Sequence, residues 1–220
     1  MNIESIRALS GSNLWSDQPV LEAVVVFDRA GLGPEVLPRL CGSLPSELGA
    51  AIRRDFVAAD AAASWAGVLA RLVVGLQATA GCQVSFWVAR PLDKQGAEYR
   101  IAAEYAEEPT ARRALSLALS LIHAARDAQP VELEPQLLAL RRLNEDTRLG
   151  PSTGCIVRAA QERKIPVRRL TGSLVQFGQG ARQRRIWAAE TDRTSAVAEA
   201  IAQDKELTKS LLDAVGIPVP

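Results

Sequence analysis

The sequence predicts an α+β protein in which helices pack on a mostly antiparallel sheet, followed by a shorter second domain. Three observations lead to that reading. Residues 20–27, 82–88 and 98–105 carry strand signals, the first as an unbroken valine-rich run and the others as apolar alternation. Long apolar helical patterns follow paired strands and do not alternate with them, which favours helices laid on one sheet over repeated βαβ units. The composition, 48% apolar and 23% charged, is that of a chain able to bury a core, although only 5% of residues are aromatic, so that core must be built from Ala, Leu and Val.

Residues 2–8 alternate loosely and end at Gly11-Ser12-Asn13, which predicts a short strand and a turn. The strand at 20–27 is closed by Gly31, Gly33 and Pro34. Helical spacing recurs at Val36, Leu37, Leu40 and Leu44, but Pro38 and Pro45 restrict residues 34–48 to short helical pieces. Residues 61–80 form the longest pattern: Trp65, Val68, Leu69, Leu72, Val73 and Leu76 share one helical face, and Gly81 is placed as its C-cap.

The next two strands place Val84, Phe86 and Val88 on one face of the first and Tyr99, Ile101, Ala103 and Tyr105 on one face of the second. Asp93-Lys94-Gln95-Gly96 lies between them as a hairpin connection. Helices are expected at 109–128 and 134–148, and a domain boundary near Leu149-Gly150-Pro151. A helix over 152–164 with Ser152 as N-cap, two or three short strands within 167–189, and helices at 194–202 and 204–215 complete the chain, the last ended by Gly216. Ile217 and Val219 then begin another strand pattern just as the sequence stops at Pro220.

The net charge of +1 conceals an uneven distribution. Residues 151–193 hold nine Lys/Arg against three Asp/Glu, whereas residues 1–150 hold fifteen against eighteen. Within the basic segment Leu174, Val175 and Phe177 form a short apolar run between Gly172 and the pair Gly178 and Gly180, and Arg182-Gln183-Arg184-Arg185 follows at once. A strand feeding a Gly-rich turn and then a basic strand offers backbone N–H groups and guanidinium forks to phosphate or carboxylate oxygens. The candidate anion-binding residues are therefore Ser173, Gln176, Gly178, Gly180, Gln183, Arg184 and Arg185, with Arg185 expected to face the ligand and Arg184 to face away. A solvated basic rim, or a pairing of Arg185 with Glu190 or Asp192, is the competing structural explanation.

Other chemistries have less support. The first ten residues lack an apolar signal-peptide core, and no apolar run is long enough for a membrane span, so a cytoplasmic protein with no membrane partner is expected. Cys41, Cys82 and Cys155 have no metal spacing and are read as reduced thiols. His123, the lone histidine, sits on a helical pattern as a packing residue. No Walker-type phosphate loop occurs, and the Arg cluster lacks the interleaved aromatics of a nucleic-acid interface, so nucleic acid is not an expected partner.

The C-terminal third carries a resemblance. Ser152-Thr153-Gly154, Ser173-Leu174-Val175-Gln176, Gly178-x-Gly180-x-x-Gln183-x-Arg185-Ile186, Thr191-Asp192-Arg193-Thr194-Ser195, residues 204–209 (DKELTK) and Gly216-Ile217-Pro218-Val219-Pro220 follow one another in order. Together they resemble cyanophycin synthetase where its N-terminal domain meets its ATP-grasp domain, closely from Leu149 onward and more loosely over residues 1–148. The resemblance implies an N-terminal polymer-binding domain at 1–149 and the α/β opening lobe of an ATP-grasp domain at 150–220. It implies a fragment of an ATP-dependent ligase that extends an aspartate–arginine polymer, with ATP and Mg²⁺ serving the full-length enzyme. No tight cofactor binding and no catalytic residue are expected in these 220 residues. The implied partners are the cyanophycin polymer, the remaining ATP-grasp and Mur-ligase-like domains, and further copies in a homo-oligomer. Acidic side chains of the N-terminal domain would take the polymer's guanidinium groups, and the loop from Ser173 to Arg185 its carboxylate end. A stand-alone, non-catalytic polymer-binding or regulatory module is the alternative. One departure stands out: where members of the family often carry a His and a Glu, on the helix that matches Ser64 to Gly81, this chain has Gly67 and Ala70, which supply no metal ligand.

Overall fold

The structure, a computed structural model, describes residues 1–27, 32–56, 61–92, 98–188 and 190–219. They form an α+β architecture in two compact units, Met1–Arg148 and Leu149–Pro220.

In the first unit, β1 (Asn2–Leu9) pairs antiparallel with β2 (Val20–Val26). β3 (Trp87–Pro91) pairs with β4 (Glu98–Glu104), and β4 pairs with β2, which gives the order β1-β2-β4-β3. Strand alternation divides the sheet into two faces. Leu21, Ala23, Val25, Tyr99, Ile101 and Ala103 are buried in the core with side chains of every helix of the unit. Val20, Glu22, Val24, Arg100 and Ala102 lie on the opposite face.

The helices are α1 (Val36–Gly42), α2 (Ser46–Asp55), α3 (Ala61–Thr79), α4 (Glu108–Arg126) and α5 (Leu133–Thr147). The core is built around α3, whose Leu69, Leu72 and Leu76 are fully buried. Its C-terminus unwinds at Gly81, where φ is +93°, a conformation that costs glycine little and other residues more. The Cys82 N–H then reaches back to the Gln77 carbonyl. Buried Asn144 of α5 completes the cap: its Nδ2 donates to the Ala80 carbonyl at 3.2 Å, and its Oδ1 accepts from the Cys82 thiol at 3.3 Å.

Two predicted elements differ in the first unit. Residues 82–86 are not a strand; the Glu104 carboxylate accepts the N–H groups of Ser85 and Phe86, both at 2.8 Å, and the Glu104 N–H donates to the Phe86 carbonyl at 2.9 Å. Helix α2 runs to Asp55 where only short pieces to residue 48 were expected. Pro45 is its N-cap residue, so its missing N–H interrupts no helical hydrogen bond. The pairing of β3 with β4 is antiparallel, and the predicted hairpin connection Asp93-Lys94-Gln95-Gly96 lies outside the described residues.

The second unit holds α6 (Pro151–Glu162), a four-stranded antiparallel meander and two helices, α7 (Ala196–Gln203) and α8 (Lys205–Ala214). The strands are β5 (Val167–Thr171), β6 (Leu174–Phe177), β7 (Arg184–Trp187) and β8 (Glu190–Thr191), one more than expected. Gly150 is the N-cap of α6 and Pro151 its first residue, so Ser152 lies inside the helix and does not cap it. Ser195 and Asp204 cap the last two helices through their side-chain oxygens. Val175 and Ile186, directly opposite each other on β6 and β7, are the sheet's buried pair.

The Asn144 cap yields a stability prediction. Asn144→Ala leaves the Ala80 carbonyl and the buried thiol without their partner and is expected to destabilise the first unit by about 1–3 kcal/mol. Cys82→Ala removes only a weak thiol donor and should cost less than Asn144→Ala. Urea unfolding of both variants, followed by far-UV circular dichroism, checks the order.

Candidate functional site

The predicted anion-binding residues all fall on or beside the second sheet, and its register decides which of them can act together. Arg184 pairs across from Phe177, and Arg185 from Gln176. Arg184 shares the face of Val175 and Ile186 and reaches Asp192 at 3.8 Å, so the acidic pairing foreseen for Arg185 belongs to its neighbour. Arg185 lies on the other face and is exposed. There Gln176 stands between Arg185 on β7 and Arg168 on β5, one cross-strand row of two guanidiniums flanking an amide. Among the described residues neither Arg168 nor Arg185 has an ion-pair partner. Leu174 and Trp187 form the next row on the same face, and Trp187 is 69% exposed.

The other predicted residues do not converge on this row. Ser173 sits in the β5–β6 turn, at the opposite end of β6 from Gly178, about 17 Å away along the extended strand at roughly 3.3 Å per residue. Its carbonyl accepts the N–H of Ala188 at 3.2 Å. The Gly178 N–H, expected to face an anion, donates instead to the Pro166 carbonyl at 2.8 Å. With φ of +71° and +58°, Gly178 and Gly180 make the tight turn that carries the chain through a short 3₁₀ segment, Gly180–Arg182, into β7. Gln183, half-buried, closes that turn through its N–H to the Gly180 carbonyl. The glycines therefore shape the loop, and Arg168, absent from the predicted set, replaces Ser173 beside Arg185.

A second charged site was not anticipated. It lies on the face of the first sheet away from the helices. Glu22, 4% exposed at mid-strand, accepts the Arg7 Nε–H on Oε1 at 3.0 Å and the Trp15 indole N–H on Oε2 at 2.8 Å, and a second Arg7 N–H also bonds Oε1. Burial pushes the Glu22 pKa up, but the hydrogen bonds from Arg7 and Trp15, with the charges of Arg7 and Arg100, outweigh it and hold the carboxyl below its ordinary value. Trp15 is laid over the sheet by its loop, where Asn13 Oδ1 accepts the N–H groups of Trp15 and Ser16 while Nδ2 donates to the Gly11 and Gln18 carbonyls. The guanidinium of Arg90 stacks on the Trp15 ring, 5.5 Å from its centroid. Arg90 and Arg100 stand directly opposite each other on β3 and β4. The sequence signals were a lone carboxylate inside a valine strand and basic residues on the non-core positions of 87–91 and 98–104.

The positions that carry metal-ligand types in the resembling family are packing positions here. Ala70 is fully buried, and Gly67 faces the Trp87 ring, which an added Cβ would meet in ordinary van der Waals contact at 3.4 Å. Arg71 stacks on Trp87, with its guanidinium 5.6 Å from the ring centroid, and pairs with Asp55. Among the described residues no group of three His, Cys, Asp or Glu side chains is placed to hold a metal ion.

The chain is thus an α+β protein whose two sheets each present arginines on one face. No protein-family model matches it. Over its whole length it is 32% identical to the cyanophycin synthetases of Trichormus variabilis and of a Nostoc species, and 31% identical to that of a Synechocystis species. The chain spans 26–27% of the length of those proteins. The resemblance carried by the C-terminal motifs therefore extends through both units, and along its full length the chain is a relative of part of the cyanophycin synthetases.

Glu22 links this site to pH. A carboxyl whose folded pKa lies below its unfolded value contributes stability that is complete above the unfolded value and is lost as pH falls through the folded one. The first unit should therefore lose stability as pH drops below the ordinary value of 4.5. Glu22→Gln, less stable at neutral pH, should show a shallower decline. Urea midpoints measured from neutral to acidic pH for both proteins check this.

Proposed function

We propose that the chain is the N-terminal part of a cyanophycin synthetase-like, ATP-dependent ligase, and that this part binds and positions the aspartate–arginine polymer while domains beyond it perform the condensations. The first unit is the polymer-binding domain and the second opens the ATP-grasp domain. The observation that supports a polymer contact, made by the second unit beside the binding domain, is the row Arg168–Gln176–Arg185, whose two arginines are exposed and without carboxylate partners among the described residues, inside the segment whose motifs run closest to the family.

The chemistry of the polymer suits such a row. An arginine joined through its α-amine to an aspartate side chain keeps its own carboxylate and its guanidinium, so every arm carries one of each. The two guanidiniums can each donate charge-assisted bonds to an arm or chain-end carboxylate, with the Gln176 amide oriented between them. Trp187, in the next row, offers a ring face to an arm guanidinium. ATP is a substrate and Mg²⁺ a cofactor of the complete ligase. Among the described residues of the second unit no group of three His, Cys, Asp or Glu side chains is placed to hold Mg²⁺.

Arg185→Ala and Arg168→Ala should each weaken binding of a short aspartate–arginine oligomer by roughly tenfold or more, a charge-assisted contact contributing about 1.5–3 kcal/mol. Arg184→Ala, which removes the partner of Asp192, and Arg182→Ala, on the turn, should do less. Calorimetric titration of each folded variant separates these outcomes, and unchanged affinity in Arg185→Ala would remove the row from the polymer site.

A further inference from the structure

Arg90 and Arg100 occupy a directly opposed cross-strand position on the face of the first sheet away from the helices. Like charges so placed repel unless something lies between them or neutralises them. Two carboxylates of this face are already hydrogen-bonded elsewhere. Glu22 accepts Arg7 on one oxygen and Trp15 on the other, and Glu104 accepts the N–H groups of Ser85 and Phe86. Among the described residues neither Arg90 nor Arg100 forms an ion pair, and the Arg100 Nε–H is buried with no hydrogen-bond partner. An unmade bond from a buried charged donor is costly, so such a group points to a ligand that completes it. Arg90 stacks on Trp15, a restraint that leaves its planar N–H edges unused.

We infer that this face of the first unit is a carboxylate receptor, in which Arg100 and Arg90 grip the two oxygens and Trp15, pinned by Glu22, holds Arg90 in place. Glu22 acts here as a positioning residue. It draws off Arg7 and anchors the indole, and it leaves two guanidiniums with net positive charge above a floor formed by fully buried Ala102. A pair of guanidiniums so placed suits a carboxylate on a flexible arm of an extended chain. Under the reading that this chain holds the aspartate–arginine polymer, on which the inference rests, the ligand is the free carboxylate of an arginine arm. The expectation that the first domain meets the polymer through acidic side chains is thereby reversed at this face.

The test is calorimetric titration of the full chain with a short aspartate–arginine oligomer and with the same oligomer after amidation of its carboxylates. Arg90→Gln alters an exposed side chain and should fold normally; Arg100→Gln is compared with it, and circular dichroism reports on both. Each variant should bind the acid oligomer roughly tenfold or more weakly than the parent chain. The amidated oligomer should bind the parent weakly and be indifferent to both substitutions. Undiminished binding of the acid oligomer by folded Arg90→Gln overturns the inference while leaving the polymer reading intact. Equal losses for acid and amidated oligomers overturn the assignment of a carboxylate ligand. If the parent chain binds neither oligomer, both readings fall together.

Discussion

The first unit depends on the burial of α3. Nineteen residues long, it carries a single charged side chain, Arg71, and its Ala66, Leu69, Ala70, Leu72 and Leu76 are fully buried. A helix apolar on nearly all sides must be covered from several directions, and the sheet, α4, α5 and α2 supply that cover. The elements that cover α3 lie on one face of the sheet, and the opposite face is closed by its own side chains. Trp15 folds over it from the β1–β2 loop, and both carboxylate oxygens of Glu22 are given donors there. A buried charge without such bonds costs several kcal/mol, so the indole and the Arg7 guanidinium stand where they do because Glu22 requires them. Arg100 shares the charge of Glu22 with Arg7, and Arg90 is left with no ion-pair partner among the described residues.

The second unit reaches a similar outcome by simpler means. Its sheet is four short strands with one well-buried pair, Val175 and Ile186, and strand alternation then sends Arg168, Gln176 and Arg185 to the other face together. Among the described residues no buried acid organises them. Arg184, one residue away, finds Asp192, so two adjacent arginines have different roles for a purely geometric reason: neighbours on a strand point to opposite sides.

Where burial sets a period, the sequence could be read. Tyr99, Ile101, Ala103 and Tyr105 alternate inward as expected, and Leu69, Leu72 and Leu76 mark the core stripe of α3, with Gly81 ending it. The readings that failed needed tertiary information. Val84 and Phe86 alternate like a strand, yet the neighbouring N–H groups are taken by the Glu104 side chain, a contact across 18 residues for Phe86. Pro45 has the same composition signal whether it breaks a helix or precedes one. Ser173 and Gly178 are close in sequence but sit at opposite ends of β6, so proximity along the chain suggested a convergence that an extended strand prevents. Arg185 was legible because alternation alone separates it from Arg184, whereas Arg168 becomes its neighbour only through the β5–β6 register. Glu22 inside its valine run was the visible sign of the first sheet's polar face.

The guanidiniums of Arg90 and Arg100 on the first sheet are the inferred receptor of a ligand carboxylate. Nitrogen NMR of the arginine Nε–H and tryptophan indole groups, during titration with the short aspartate–arginine oligomer, observes those atoms directly. The Arg100 Nε–H, now without a partner, should shift saturably as a new charge-assisted bond forms, and the Trp15 indole resonance should move with it at the same midpoint. Saturable binding that leaves both resonances unmoved would contradict the claim.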